Sequence, residues 1–224
     1  MIWRSKYHRR PRGFTLVEIL VTMTLMALLT IGLLRFLLQA LNIYYYDGGR
    51  LMVNKDVRTF TADLAKDAVA SNYFRIYPDF QTRTAAVTDG NSGEFLVLVF
   101  TDPPDSTSTT GAYIITKLVG YYRDPVDPTD PTSLGPVRRF ELPVADADKS
   151  KDLGTLLTTA GYAPTTSAHS YPVVIQLAQG LADGNLFYDY YDRSVMIRGQ
   201  IVEYGSQGGK AAVNTYNFTV SPRG

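Results

Sequence analysis

The chain's strongest constraint is an uncharged apolar run, residues 19–34, placed directly behind one acid, Glu18. Counted from Phe14, the segment 14–34 is 21 residues long. At ~1.5 Å rise per residue it forms a helix of roughly 30 Å, the thickness of a bilayer core. Arg4, Lys6, Arg9, Arg10 and Arg12 precede it without an accompanying acid. That bias holds the N-terminus in the cytoplasm and sends the remainder across. Glu18 is the anomaly, because a carboxylate in an apolar helix costs on the order of 2.5–3.5 kcal/mol at mid-bilayer and less near an end. It needs a partner. A free amine on the first residue of a neighbouring copy would serve, and that amine exists only if the chain is cut just before Phe14.

The residues Gly13-Phe14-Thr15-Leu16-Val17-Glu18, opening an apolar helix behind a basic leader, resemble the N-terminal signal of type IV pilins and type II secretion pseudopilins. The resemblance implies cleavage between Gly13 and Phe14 by a membrane-embedded prepilin peptidase and methylation of the new terminal Phe14. It implies an assembly role for Glu18, paired with a neighbour's N-terminus. An ordinary secretory signal fits less well. The run exceeds the usual 7–15-residue apolar region, and no A-x-A cleavage site follows it. An uncleaved single-pass anchor whose head binds a ligand or partner is the alternative, but it explains neither Gly13 nor Glu18.

Composition narrows the rest. The 224 residues allow one domain with an N-terminal appendage, and cysteine is absent, which removes disulfides and thiolate metal sites. Many type IVa pilins close a C-terminal loop with a disulfide, so the chain departs from the major-pilin pattern and sits closer to a pseudopilin or minor pilin. Loss of the leader removes five basic residues and leaves 17 basic against 21 acidic side chains, a net charge of −4. No basic surface for nucleic acid follows.

No proline lies between Pro11 and Pro78, which permits one helix over residues 14–72, interrupted if anywhere at Gly48-Gly49. Val53, Val57, Phe60, Leu64 and Ala68 recur at helical spacing, a stripe that predicts packing on the chain's own sheet. Arg35 and Gln39 mark the helix's exit from the membrane, and Tyr44, Tyr45 and Tyr46 resemble an interfacial aromatic belt. Gly32 is the one breaker inside the run. Beyond Pro78 the pattern turns to strands. Residues 95–100 are a continuous apolar run, predicting burial on both faces, and 113–122 and 137–144 continue an antiparallel meander. A short helix is expected over 151–160, closed by Gly161. Strands follow at 173–181, 186–191 and 195–204. The last, 216–221, alternates Tyr216, Phe218 and Val220 with polar residues. This order of elements resembles the J-type minor pseudopilins and W-type pilus assembly proteins.

Few other residues suggest chemistry. Asp124, Asp127 and Asp130 are spaced like candidate calcium ligands, yet the EF-hand pattern is missing and the interleaved prolines suit an extended loop. His169, the one histidine beyond the leader, lies in a Ser/Thr-rich loop without a nucleophile beside it in sequence. Gly208-Gly209-Lys210 lacks the Ser/Thr of a phosphate loop and reads as a hairpin turn, and Asn217-Phe218-Thr219 is a glycosylation triplet without meaning in a bacterial strand.

The expectation is an α+β, pilin-like chain: leader 1–13, long helix 14–72 with its membrane part at 14–34, and an antiparallel sheet head over 73–224. It is not expected to be an enzyme or to need a cofactor, calcium being the weak exception. Its expected partners are prepilin peptidase, other pilins or pseudopilins, the inner-membrane assembly platform and the membrane itself. The head is placed in the periplasm.

Overall fold

The computed structural model describes residues 13–103, 113–130, 132–180, 184–203 and 212–223. The basic leader, the Ser/Thr-rich stretch up to Thr110 and the expected turn at Gly208-Gly209 lie outside these residues. The chain divides into two units, Met1–Tyr45 and Tyr46–Gly224. One helix, α1 (Leu16–Ala70, 55 residues), contributes to both.

In the first unit every described residue is exposed, including Leu20, Leu25, Leu29 and Leu33. A helix apolar on all sides finds its low-energy surroundings in lipid or among other apolar helices. Its threonine hydroxyls are bonded within the helix. Thr22 donates to the carbonyl of Glu18 at 2.9 Å, Thr24 to that of Leu20 at 3.1 Å and Thr30 to that of Met26 at 2.8 Å. Among the described residues this is the one helix long and apolar enough to cross a membrane.

The second unit is an α+β head. The helix runs unbroken through Gly48 and Gly49, so the interruption allowed there does not occur. A Cβ at Gly49 would reach van der Waals contact with Ala212 and Glu203. Of the expected stripe, Val53, Phe60, Leu64 and Ala68 are buried and Val57 is half-buried. Phe60 meets Tyr121, Tyr216 and Phe218 edge to face, with centroids at 5.9, 6.1 and 5.8 Å. After Ala70 the Ser71 hydroxyl donates back to the Ala68 carbonyl at 2.8 Å, and Asn72 enters the sheet by donating to the Val99 carbonyl at 2.9 Å.

The strands are β1 (Tyr73–Tyr77), β2 (Ser92–Gly93), β3 (Phe95–Asp102), β4 (Ile114–Arg123), β5 (Gly135–Pro143), β6 (Val173–Gly180), β7 (Phe187–Tyr190), β8 (Ser194–Glu203) and β9 (Ala212–Val220). All pair antiparallel, in the order β1-β3-β4-β5-β6-β8-β7-β2, with β9 beside β8. On one edge of β8, β7 takes the first half and β6 the second, and β9 runs along the other edge. Because β2 leads directly into β3, the path of pairings ends on the chain segment that enters its second strand. β1 and β2 were not anticipated. Tyr73–Tyr77 follows the helix too closely to stand out, and β2 has only two residues.

The central strands are covered twice, as the unbroken apolar run of β3 implied. Leu96, Leu98, Val119 and Tyr121 face the helix stripe. Phe95, Val97, Val99, Leu118, Tyr122 and Phe140 face the 144–171 connection, whose short helix α2 (Leu153–Thr158) buries Leu153, Leu156 and Leu157. Asp152 caps α2 by accepting the Thr155 amide at 2.9 Å, and Gly161 takes φ 73° behind it. Gly120 sits opposite Phe140, whose ring occupies the space a Cβ would need.

Candidate functional site

Gly13 and Phe14 precede α1 without helical structure, and Phe14 is 81% exposed. Thr15 and Glu18 then form a reciprocal cap. The Thr15 amide donates to Glu18 Oε2 at 2.9 Å, the Thr15 hydroxyl to the same oxygen at 3.1 Å, and the Glu18 amide to Thr15 Oγ1 at 3.3 Å. This is the capping-box arrangement, which satisfies helix-end amides that have no carbonyl four residues back. The carboxylate also lies at the positive end of the helix dipole. Both bonds go to one oxygen. Glu18 Oε1 takes no hydrogen bond from a described residue and is open to a further donor. Sequence reasoning asked what partner Glu18 needs, and it missed that Thr15 supplies part of the answer within the chain. The Thr-x-x-Glu spacing was the available signal.

The three loop aspartates do not act together. Asp124 Oδ2 accepts from Arg138 Nε at 2.9 Å and lies 2.7 Å from His169 Nδ1. Asp127 and Asp130 each accept from the threonine two positions on. Asp127 Oδ1 takes the Thr129 amide and hydroxyl at 2.9 and 2.7 Å, and Asp130 Oδ1 takes those of Thr132 at 2.8 and 2.7 Å. The Thr129 hydroxyl, then its amide, hold the Asp127 carboxyl below its usual range. The same pairing of aspartate with threonine thus occurs twice. Among the described residues no three acidic or histidine side chains form a group able to hold a metal ion. His169 is paired with Asp124 yet remains 81% exposed.

Two polar clusters in the head escaped sequence reasoning. In the first, Arg123 Nε donates to Glu94 Oε2 at 2.6 Å, with the two side chains only 3% and 7% exposed. The Phe95–Tyr122 register puts the two one step beyond the last strand pair, and the Arg123 amide donates to the Glu94 carbonyl at 3.0 Å. Arg123 also donates to the Ser133 carbonyl. Burial pushes the Glu94 carboxyl up to about 7, against the pull of Arg123 and the Leu186 amide. In the second cluster, Asp67 on the helix accepts from the Tyr121 hydroxyl at 2.7 Å and from Arg139 Nη2 at 2.9 Å. Tyr121 and Arg139 are cross-strand partners, so the cluster ties α1 to β4 and β5.

Residues 8–34 match the family model of the prokaryotic N-terminal methylation motif. No curated protein and no solved structure matches the chain. The match takes in the junction, Glu18 and the apolar run, so the best-defined candidate site of this chain is its N-terminal segment.

Proposed function

We propose that this pilin-like, membrane-anchored chain is a minor pseudopilin or minor pilin, a structural subunit of a type II secretion pseudopilus or type IV pilus. The observation that carries the reading is the methylation motif at 8–34, set on a helix whose described residues in the first unit are all exposed and mostly apolar. Prepilin peptidase cuts between Gly13 and Phe14 and methylates Phe14. The mature subunit waits in the bacterial inner membrane with its head in the periplasm, and the assembly platform draws it into the fibre among other pilins.

The chemistry of assembly centres on Glu18. While the subunit waits, Thr15 lowers the cost of placing the carboxylate among lipid tails. In the fibre, Glu18 Oε1 accepts from the Phe14 amine of a neighbour, and the low-dielectric surroundings make that pair strong and either charge alone costly. The absence of cysteine and the resemblance in the order of elements along the chain support a minor subunit of the J or W type over a major pilin. The role is mechanical rather than catalytic.

The test is the intact mass and N-terminal residue of the protein purified from its native membrane. A chain beginning at N-methylated Phe14 is the expected result. A chain that retains residues 1–13 would return the weight to an uncleaved anchor.

A further inference from the structure

The hairpin of β7 and β8 carries two tyrosines at its tip, Tyr190 and Tyr191, 47% and 64% exposed. Their ring centroids lie 4.6 Å apart and their planes meet at 81°. The rings therefore form a corner, and with Arg193 and Ser194 they line an open recess of about 590 Å³. Tyr191 (φ 57°) and Asp192 (φ 51°) both sit in the left-handed region, and the Arg193 amide donates to the Tyr190 carbonyl at 3.2 Å. Asn-Gly or Asp-Gly closes such a turn most readily, because a bulky side chain is disfavoured at positive φ. Tyr191 is thus a poor residue for its own turn, and it stays mostly in water. Three contacts hold it there. Asp89 Oδ1 accepts the Tyr191 amide at 2.5 Å, Asp189 Oδ1 accepts the Asp192 amide at 3.0 Å, and Arg75 pairs with Asp192 at 3.3 Å. Strained residues fixed by their surroundings in this way concentrate at binding sites.

The groups around the corner select the ligand. Arg193 is exposed and has no ion pair or side-chain hydrogen bond among the described residues. The side chains of Asp192 and Arg75 are 63% and 48% exposed, and Asp89 is exposed as well. An anion drawn to Arg193 would meet the carboxylates of Asp89 and Asp192 in the same turn. A cation drawn to the ring faces would meet Arg193 and Arg75. A purely apolar partner would bury the Arg193 guanidinium without an acceptor, which is costly. A neutral ring with an apolar face and a hydroxyl rim meets none of these objections. Its C–H groups carry slight positive charge and suit the negative face of an aromatic ring. Its hydroxyls both donate and accept, so they serve a guanidinium and a carboxylate together. We propose that the corner binds a neutral pyranose ring of a glycan, its C–H face on the Tyr191 ring, its rim against Tyr190 and its hydroxyls reaching Arg193 and Asp192. Such a ring belongs either to a free saccharide or to one unit of a polymer strand. Binding of this kind is independent of any role in a fibre.

Isothermal titration of the full chain tests this, in polyoxyethylene detergent micelles, which carry no sugar headgroup. The probes are methyl β-glucoside, cellohexaose and chitohexaose, with sodium phosphate and choline chloride as the charged classes. Saturable binding of at least one hexasaccharide is expected. Equal affinity for the methyl glucoside identifies a free sugar as the ligand, and tighter binding of the hexasaccharide identifies a polymer strand. Tyr191→Asn should weaken binding about tenfold or more, the loss expected when one aromatic contact is removed. Asn tolerates the left-handed conformation, so the melting temperature of this variant should hold or rise. Arg193→Gln, at an exposed position, should weaken binding about threefold or more with the fold intact. A Tyr191→Asn chain that melts earlier would make Tyr191 a folding residue and overturn the proposal. Unchanged affinity in that variant, no saturable heat with either hexasaccharide, or saturation by phosphate or choline alone would overturn it equally.

Discussion

Two glutamates in this chain meet the same difficulty, a carboxylate away from water, and resolve it differently. Glu18 was legible in the sequence because it stands beside an uninterrupted apolar run, where any charge is conspicuous. Glu94 was not, because its partner Arg123 lies 29 positions away and only the β3–β4 register joins them. Burial gives Glu94 a pH signature. Its ordinary value of 4.5 is raised to about 7 in the folded chain, so between these values the folded state keeps a proton that the unfolded state releases. Stability therefore falls as pH rises through that window and levels off above it, by on the order of a few kcal/mol. Asp189, raised to about 6 chiefly by burial and then by the nearby Asp192 and Asp89 charges, acts in the same direction. The melting temperature should drop between mildly acidic and neutral pH. Glu94→Gln should flatten most of that slope while lowering stability throughout, since it leaves Arg123 buried without its anion. A slope unchanged in the variant would remove Glu94 from this role.

At the level of elements, the readable parts were those whose pattern repeats. The helix stripe, the doubly covered β3 and the alternation of β9 each announce their surroundings through periodicity. In β9, Ala212, Tyr216 and Val220 are buried while Val213, Thr215, Asn217 and Thr219 are exposed. The failures were short or adjoining elements. β1 places Arg75 outward between buried Phe74 and Ile76, an alternation too brief to separate from the helix end. The stripe yields a paired test on one helix. Leu64, fully buried among the sheet side chains, should cost about 2–5 kcal/mol when changed to Ala. Leu51, 71% exposed one face away, should change stability by no more than ~0.5 kcal/mol. Guanidinium unfolding of the full chain in detergent, followed by the near-ultraviolet signal of the head tyrosines, measures both. Equal effects would mean that the helix is not held to the sheet by this stripe.

For the whole molecule, the two units make opposite demands. The head satisfies its apolar surface within the chain. The first unit satisfies none of it, so its helix must stay in lipid or lie among other helices. On the function proposed above, Glu18 exchanges part of its contact with Thr15 for a neighbour's amine between the two settings, and substitutions there can separate its two duties. Glu18→Ala removes both the reciprocal cap with Thr15 and the charge. Cleavage should be unaffected, because the bond proposed to be cut, between Gly13 and Phe14, lies five residues upstream, and an immunoblot should show mature-length protein at normal abundance. Incorporation into the fibre should fall about tenfold or more, since a neighbour's amine would be left unpaired in a low-dielectric interior. Glu18→Gln keeps an oxygen for the Thr15 amide and loses only the charge. If Gln assembles as poorly as Ala, ion pairing governs incorporation. If Gln assembles normally, the cap suffices and the charge has no part in it. Normal assembly of Ala itself would dismiss Glu18 from both duties.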